Sequence, residues 1–492
     1  MYLGIRRAVL SSLRTYRPTQ PQFPTRVGAF KLNANPRFYS VATPSTSVTP
    51  IEDLLLKNVQ VTGPMSFATY MQFCLSHPTE GYYMKESNAV FGPKGDFITS
   101  PDISQVFGEL IAIWFLSQWQ VAGAPSKIRL VELGPGRAAL MADVLRVISQ
   151  LTKPLKTEVE VDLVETSSSM RAMQEARLGE QGWDIHWHDS LDSISPSSEA
   201  YTMLVAHEFF DALPFHVLKR TEEGWHEVLI ASNTPTPSPE SETTTTATSE
   251  PEAQGTSSTP PTSSPTPSSP TPSPRFNHVL TPAPTPISTV LGNSSPRFRS
   301  LPINSFLEVS PVSFKIAYKI AELLSVRERN GTLGGCGLII DYGGDTCFDN
   351  SRRAFKDHEI VDFFHRPGEC DLTANVDFAY LREAMRALGT WIVPLSLAGD
   401  LTDKETFSVP VYKPLPQGHF LQAMGLKERL VKLLEKNRGD PEKAKRIEEA
   451  ALRLVSPSGM GSQYSVMGFS SNGGDVYPFP PDDVKEDVKT EM

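Results

Sequence analysis

The stretch IRLVELGPGRAALMADVLRVISQL, residues 128–151, most constrains what this chain can fold into. A short unbroken apolar run runs into a glycine turn, and an apolar pattern of helical period follows it. A strand that is apolar on both faces is buried on both faces, so helices must lie above and below its sheet. The rest of the chain supplies them. EVEVDLVET, DIHWH, YTMLVA, EVLIA and CGLIIDYG read as strands, and SSMRAMQEARL between the first two reads as a helix. Strands alternating with helices predict an α/β fold with a mostly parallel sheet, whose ligands sit at the carboxyl ends of the strands.

The turn itself fits two templates. Gly134, Gly136 and Ala139 match a dinucleotide-binding GxGxxA, while Glu132, Gly134, Gly136 and Ala138 nearly match the ExGxG loop of methyltransferases. Electrostatics separate the two. A helix N-terminus favours the pyrophosphate of a dinucleotide, and Glu132 would set a carboxylate beside that anion. S-adenosylmethionine has no phosphate and carries a sulfonium and an ammonium, which favour a nearby acid. Glu165 ends the second strand, where a carboxylate accepts from ribose hydroxyls. Asp189 follows the third strand, at a position suited to an adenine amino group. A nicotinamide-dependent oxidoreductase remains the minor alternative, because its acid normally lies roughly 20 residues past the glycines.

A fourth strand runs into HEFFDALP and brings Glu208 and Asp211 to the same rim, beside Phe209 and Phe210. An arginine acceptor presents a cationic fork of N–H donors, so carboxylates are needed to orient it and offset its charge. Glu208 and Asp211 are therefore the candidate catalytic pair, and the aromatic rings would exclude water.

Composition bounds the partners. Seven basic residues and no acid precede Glu52, a mitochondrial presequence pattern with RFYS resembling a cleavage site after Tyr39; residues 1–49 are expected to be presequence and linker, and the destination the matrix. Losing those seven charges takes the formal net charge from −10 to −17, which argues against nucleic acid and suits a basic protein substrate. The four cysteines form no CxxC pair and have no companion histidines at zinc spacing, so no metal is expected. The longest apolar stretch, Ile111–Leu116, is too short to span a bilayer. Residues 231–300 are rich in Ser, Thr and Pro and read as a disordered insertion within one domain, and 471–492 as a disordered acidic tail.

Seven motifs occur in the order seen in the MidA family: GPMSFATYMQFCLSHPTEGYYM, GDFITSPDISQVFGELIAIW, VELGPGRAALMADVL, LVETS, HEFFDALPFH, LIIDYG and PGECDLTANVDF. The chain resembles that family from about Pro50 to Phe469. The resemblance implies a Rossmann-like class I S-adenosylmethionine-dependent methyltransferase domain over residues 50–470. It further implies symmetric ω-N dimethylation of an arginine in a matrix-arm core subunit of complex I, during assembly of that complex. By motif, Glu132, Gly134, Gly136, Glu165 and Asp189 surround the cofactor, and GDFITSP, with Asp96, Thr99 and Ser100, folds over it. Glu208 and Asp211 lie on the acceptor side, where Asp371 and Asp377 help to shape the pocket. Four residues, at three places, depart from the family pattern. Ala138 and Ala139 stand for Gly and Thr, His207 for Asn, and Asp102 for Glu. If position 138 requires a positive φ, alanine strains the loop, and His207 could carry a charge. A non-catalytic assembly chaperone that keeps the fold is the alternative these departures leave open.

Overall fold

The strand Lys127–Leu133 (β1) forms where the apolar run placed it, and its side chains alternate between two cores. The computed structural model describes residues 47–85, 99–179, 182–233, 275–326, 331–387 and 409–480. Glu158–Val164 (β2), Asp184–His188 (β3), Tyr201–His207 (β4), Gly335–Gly344 (β5), Leu415–Pro416 (β6) and Tyr464–Ser470 (β7) complete the main sheet. Its order is β6-β7-β5-β4-β1-β2-β3, with Val376–Asp377 added beside the end of β5. The strands β3, β2, β1, β4 and β5 run parallel, and β7 lies antiparallel between β5 and β6. The chain winds outward from β1 in one direction and then crosses to β4 on the other side. A switch point therefore opens between β1 and β4, where such sheets hold ligands.

Helices cover both faces. On one, Gln105–Val121 and Ala139–Thr152 pack against Ile128, Leu130, Met203 and Leu338. On the other, Pro311–Leu324 and Phe378–Arg386 pack against Val131, Leu133, Leu204 and Ile339. Register then fixes the site. Leu133 pairs with Val164 and Ala206, Val164 with His188, and His207 with Ile340. The residues that follow, Gly134, Glu165, Asp189, Glu208 and Asp341, consequently form one row along the carboxyl rim.

An antiparallel sheet of five strands stands beside this unit, with Gly224–Ser232 at its centre flanked by His216–Thr221 and Phe276–Leu280. A three-stranded sheet of Arg353–Lys356, Glu359–Val361 and Asp371–Thr373 shares a third core with the helices Pro50–Thr62 and Phe67–Ser76.

Two boundaries read from composition need correction. The insertion expected over 231–300 is shorter at both described ends: Gly224–Ser232 continues as strand, and 275–300 holds Phe276–Leu280 and the helices Pro286–Gly292 and Pro296–Arg299. The prolines there open helices, each at the first turn behind a capping Thr285 or Ser295, so Ser/Thr/Pro content signified helix starts as well as linker. Residues 234–274 lie outside the described residues. The tail expected from 471 is packed as far as Phe479: Val476 and Phe479 are buried in the main core, and Trp114 Nε1 donates to the Tyr477 carbonyl at 2.9 Å. The last twelve residues, residues 1–46, which include most of the expected presequence and linker, and Asp96 also lie outside the described residues. Thr49 caps the first described helix in a reciprocal capping box with Glu52. Among the described residues, no helix is long and apolar enough to cross a membrane.

Candidate functional site

The turn after β1 is left-handed at Gly134 (φ 64°), Gly136 (φ 50°) and Ala138 (φ 55°). Position 138 therefore does require a positive φ, and alanine meets it at a cost of about 1–2 kcal/mol. Its methyl is fully buried in the main core, which offsets part of that strain. A Cβ at Gly134 would fall 2.9 Å from the Phe209 ring, so glycine is needed there for close approach as well as for conformation.

Buried Gln174 braces this turn. Its amide donates to the Gly136 carbonyl at 2.8 Å and to Glu165 Oε2 at 3.2 Å, and accepts from Trp187 Nε1. Glu165 Oε1 also accepts from the Ser167 N–H at 2.8 Å. Burial raises the Glu165 pKa, while these donors pull it back. Arg171 reaches from the Glu165 carbonyl to Asp189 Oδ1 at 2.6 Å and so ties two strand ends together. Asp189 thus spends one oxygen on Arg171, and its side chain is 85% exposed on the cavity rim.

Glu132 is buried under the start of the helix Ala139–Thr152, bonded to the Met141 N–H, and its Oε2 has no partner among the described residues. Burial pushes its pKa up to about 8. It faces a cavity of about 50 Å³ that Thr99, Arg137, Gly134, Gly136, His207 and Glu208 also line. Thr99 and Glu132 therefore line this smaller cavity and not the main one, and the two cavities share Gly134, Gly136 and Glu208 as walls. Asp102, one of the departures, accepts from Arg137 at 2.7 Å and from Thr99 Oγ1 at 3.2 Å, pinning the segment 99–103 to the turn. His207 is buried between Phe107 and Tyr464, and burial drives its pKa down to about 3. The charge its sequence position allowed is thus absent near neutral pH: Glu208 Oε1 lies 3.6 Å from its Nε2, but burial pushes that carboxyl up to about 8 and so weakens it as a counter-ion.

The acceptor end is organised by a residue that sequence reasoning left unassigned. Asp341, fully buried at the end of β5, gathers the N–H groups of Phe209, Phe210 and Asp211 on Oδ2 at 3.1, 2.9 and 3.3 Å, and the Tyr342 N–H on Oδ1 at 2.9 Å. That clasp shapes the turn in which Glu208 adopts φ 49°. Glu208 Oε1 accepts from Tyr464 at 2.7 Å. Burial, with the charges of Asp211 and Asp371, pushes the Glu208 pKa up to about 8 against the pull of that hydrogen bond. Asp211 rises to about 6 through burial, and the Arg353 charge opposes the rise. Asp371 accepts from Tyr83 at 2.7 Å. Asp377 is not part of this wall: it caps the helix Phe378–Arg386 and pairs with Arg297 at 2.9 Å.

One cavity of about 430 Å³ joins the two ends, a volume ordinary for a small-molecule site. Gly134, Gly136, Glu165 and Asp189 line one part of it; Glu208, Asp211, Asp371 and Tyr83 line the other, with Phe209 between. The residues present fit S-adenosylmethionine: the turn that a side chain at Gly134 would fill, a carboxylate at the second strand end, and the orphaned Glu132 oxygen as partner for an ammonium. Sequence reasoning missed Gln174, Arg171, Asp341, Tyr464 and Tyr83. Of these only Asp341 left a signal, as an acid ending a strand.

Known proteins agree with this geometry. Residues 110–394 match the family described as "Putative S-adenosyl-L-methionine-dependent methyltransferase". Protein arginine methyltransferase NDUFAF7, mitochondrial, of Danio rerio is 34% identical over 430 residues, covering 83% of this chain and 84% of that one. The protein of the same name from Homo sapiens is 30% identical, covering 85% and 82%. A solved structure from Burkholderia thailandensis, bound to S-adenosyl-homocysteine, superposes with a TM-score of 0.61 at 18% identity, over 86% of this chain and 92% of that one. The chain belongs to the S-adenosylmethionine-dependent methyltransferase family that includes these mitochondrial relatives.

Proposed function

We propose that the chain methylates arginine in a protein substrate, placing one methyl on each terminal nitrogen, and that the substrate is a matrix-arm core subunit of complex I met in the mitochondrial matrix. One observation carries the arginine reading: Glu208, Asp211 and Asp371 share a single cavity with the glycine turn. The relatives' names support the same acceptor, and the likeness to the MidA family supports the complex I substrate. A guanidinium leaving water needs anionic hydrogen-bond acceptors, and the three carboxyl groups of Glu208, Asp211 and Asp371 in the cavity wall provide them.

Glu132, Thr99, Gly134, Gly136, Glu165 and Asp189 hold the cofactor. When bound, S-adenosylmethionine supplies a methyl carbon made electrophilic by its sulfonium. Asp211, steadied by Arg353, orients the guanidinium. Glu208 is fixed by Tyr464 on one oxygen and accepts the proton that the nitrogen loses. A group whose pKa lies near working pH suits that role. Phe209 and Tyr342 exclude water from the path of transfer.

The test is mass spectrometry of complex I subunits from cells with and without this protein. A dimethylarginine that vanishes without the protein, and is not restored by Glu208→Gln, is the expected result. An unchanged arginine inventory would overturn the proposal. Calorimetry of Glu208→Gln with S-adenosylhomocysteine should show cofactor affinity close to wild type.

A further inference from the structure

Resting on the arginine reading, we infer that Phe209 restricts each acceptor nitrogen to a single methyl and so sends the second methyl to the other terminal nitrogen. The ring stands between the two halves of the cavity. On one side it lies against Gly134, close enough that a single added carbon there would come within 2.9 Å of Cδ2. In the chain it follows the acceptor acid Glu208 directly and precedes Asp211 by two residues. A methyl passing from the cofactor turn to the acids would therefore move along this ring, which lines the same cavity as both.

The ring is also held in place. Its N–H donates to Asp341 Oδ2 at 3.1 Å, and its ring meets Phe210 edge to face with centroids 5.4 Å apart. A wall that yields would admit a bulkier nitrogen, whereas this one is fixed at its backbone and at its side chain. Each transfer forms one N–C bond from a nitrogen lone pair and breaks one C–S bond, whose electron pair returns to sulfur. It releases one N–H proton, which the Glu208 carboxylate accepts. An unsubstituted nitrogen presents only hydrogens toward the ring. A nitrogen that already carries a methyl must turn that methyl either into Phe209 or away from the transfer line, and in the second case its lone pair no longer faces the incoming carbon. The remaining terminal nitrogen meets no such conflict once the guanidinium has turned over between the carboxylates. A hydrophobic wall discriminates one carbon by about 10-fold or more, which is enough to set the product.

The test uses full-length wild type, Phe209→Leu and Phe209→Ala, with complex I matrix arm purified from cells lacking this protein as acceptor. After hydrolysis, symmetric and asymmetric dimethylarginine are separated and counted. Wild type should favour the symmetric product by at least about 10-fold, and the variants should approach parity. Identical product ratios in all three proteins overturn the inference and leave the arginine reading standing. Absence of any methylarginine with wild type overturns the arginine reading itself, and the role of Phe209 with it. A variant too slow to assay is decided by binding. In calorimetry on protein saturated with S-adenosylhomocysteine, Nα-acetyl asymmetric dimethylarginine amide should bind Phe209→Ala about 10-fold tighter than wild type, while the symmetric isomer binds both alike. Equal preference for the isomers in the two proteins again overturns it.

Discussion

The cofactor end and the acceptor end of the cavity are built in different ways. At the cofactor end, one strand, one turn and one helix within residues 127–152 supply the glycines and Glu132, and the next strand ends supply Glu165 and Asp189. Its braces are local too: Gln174 and Arg171 sit on the helix that follows β2. The acceptor end draws on the whole chain. Tyr464 is 256 residues from the Glu208 it bonds, Tyr83 is 288 from Asp371, and Asp341 is 131 from Phe210. A local site should fail through its backbone, and a dispersed one through loss of a distant hydrogen bond.

The largest expected effect tests the local end. Gly134→Val places a β-branched side chain at φ 64° and against Phe209, combining strain with overlap. Affinity for S-adenosylhomocysteine should fall by about 100-fold or more, roughly 3 kcal/mol, with the fold retained by circular dichroism. Affinity within a few-fold of wild type would show that the turn does not hold the cofactor.

Asp341→Asn tests the dispersed end next. It replaces one acceptor oxygen by an N–H₂ group facing backbone donors, leaving buried N–H groups unsatisfied at a cost of about 2 kcal/mol. Turnover should drop by about 30-fold while cofactor affinity stays within about threefold. Equal losses in both quantities would mean that the two ends are one unit, and the comparison would break.

The same contrast explains what the chain revealed before its structure. Apolar runs and alternation located the five longer parallel strands of the main sheet, the inner ones most clearly because they are buried on both faces, but not Val376–Asp377, which is too short to show a period. Register then aligned Gly134, Glu165, Asp189 and Glu208 on one rim without further information. Contacts across hundreds of residues have no local pattern, so Tyr464 and Tyr83 stayed silent, and Asp377, in a motif beside Asp371, turned out to be a helix cap. Composition misjudged the segment 275–300 for a related reason. Proline and threonine serve linkers and helix starts alike, and only the packing of Phe276 and Leu291 distinguishes them.

Tyr464→Phe should have a smaller effect, with a definite sign in pH. Its hydroxyl lowers the Glu208 pKa, which burial sets near 8, so its removal raises that pKa further. If ionised Glu208 accepts the proton, the rising limb of kcat/KM moves to higher pH. Turnover at neutral pH should fall by roughly 10-fold, consistent with loss of one hydrogen bond to a charged group. A limb that stays in place would remove Glu208 from proton acceptance.

The smallest expected effect concerns Ala138, the residue that most set this turn apart from its family. Ala138→Gly relieves left-handed strain of about 1–2 kcal/mol. It also gives back about 0.5–1 kcal/mol of chain entropy and about 0.8 kcal/mol for a buried methyl. These contributions nearly cancel, so Tm should move by no more than about 3 °C and turnover by no more than about twofold. Alanine at this position is thus close to neutral because the core that its methyl enters compensates the φ it must adopt. A large gain of activity in Ala138→Gly would show instead that the local end is held out of shape in this chain, and that its backbone, more than the distant contacts of the acceptor end, limits transfer.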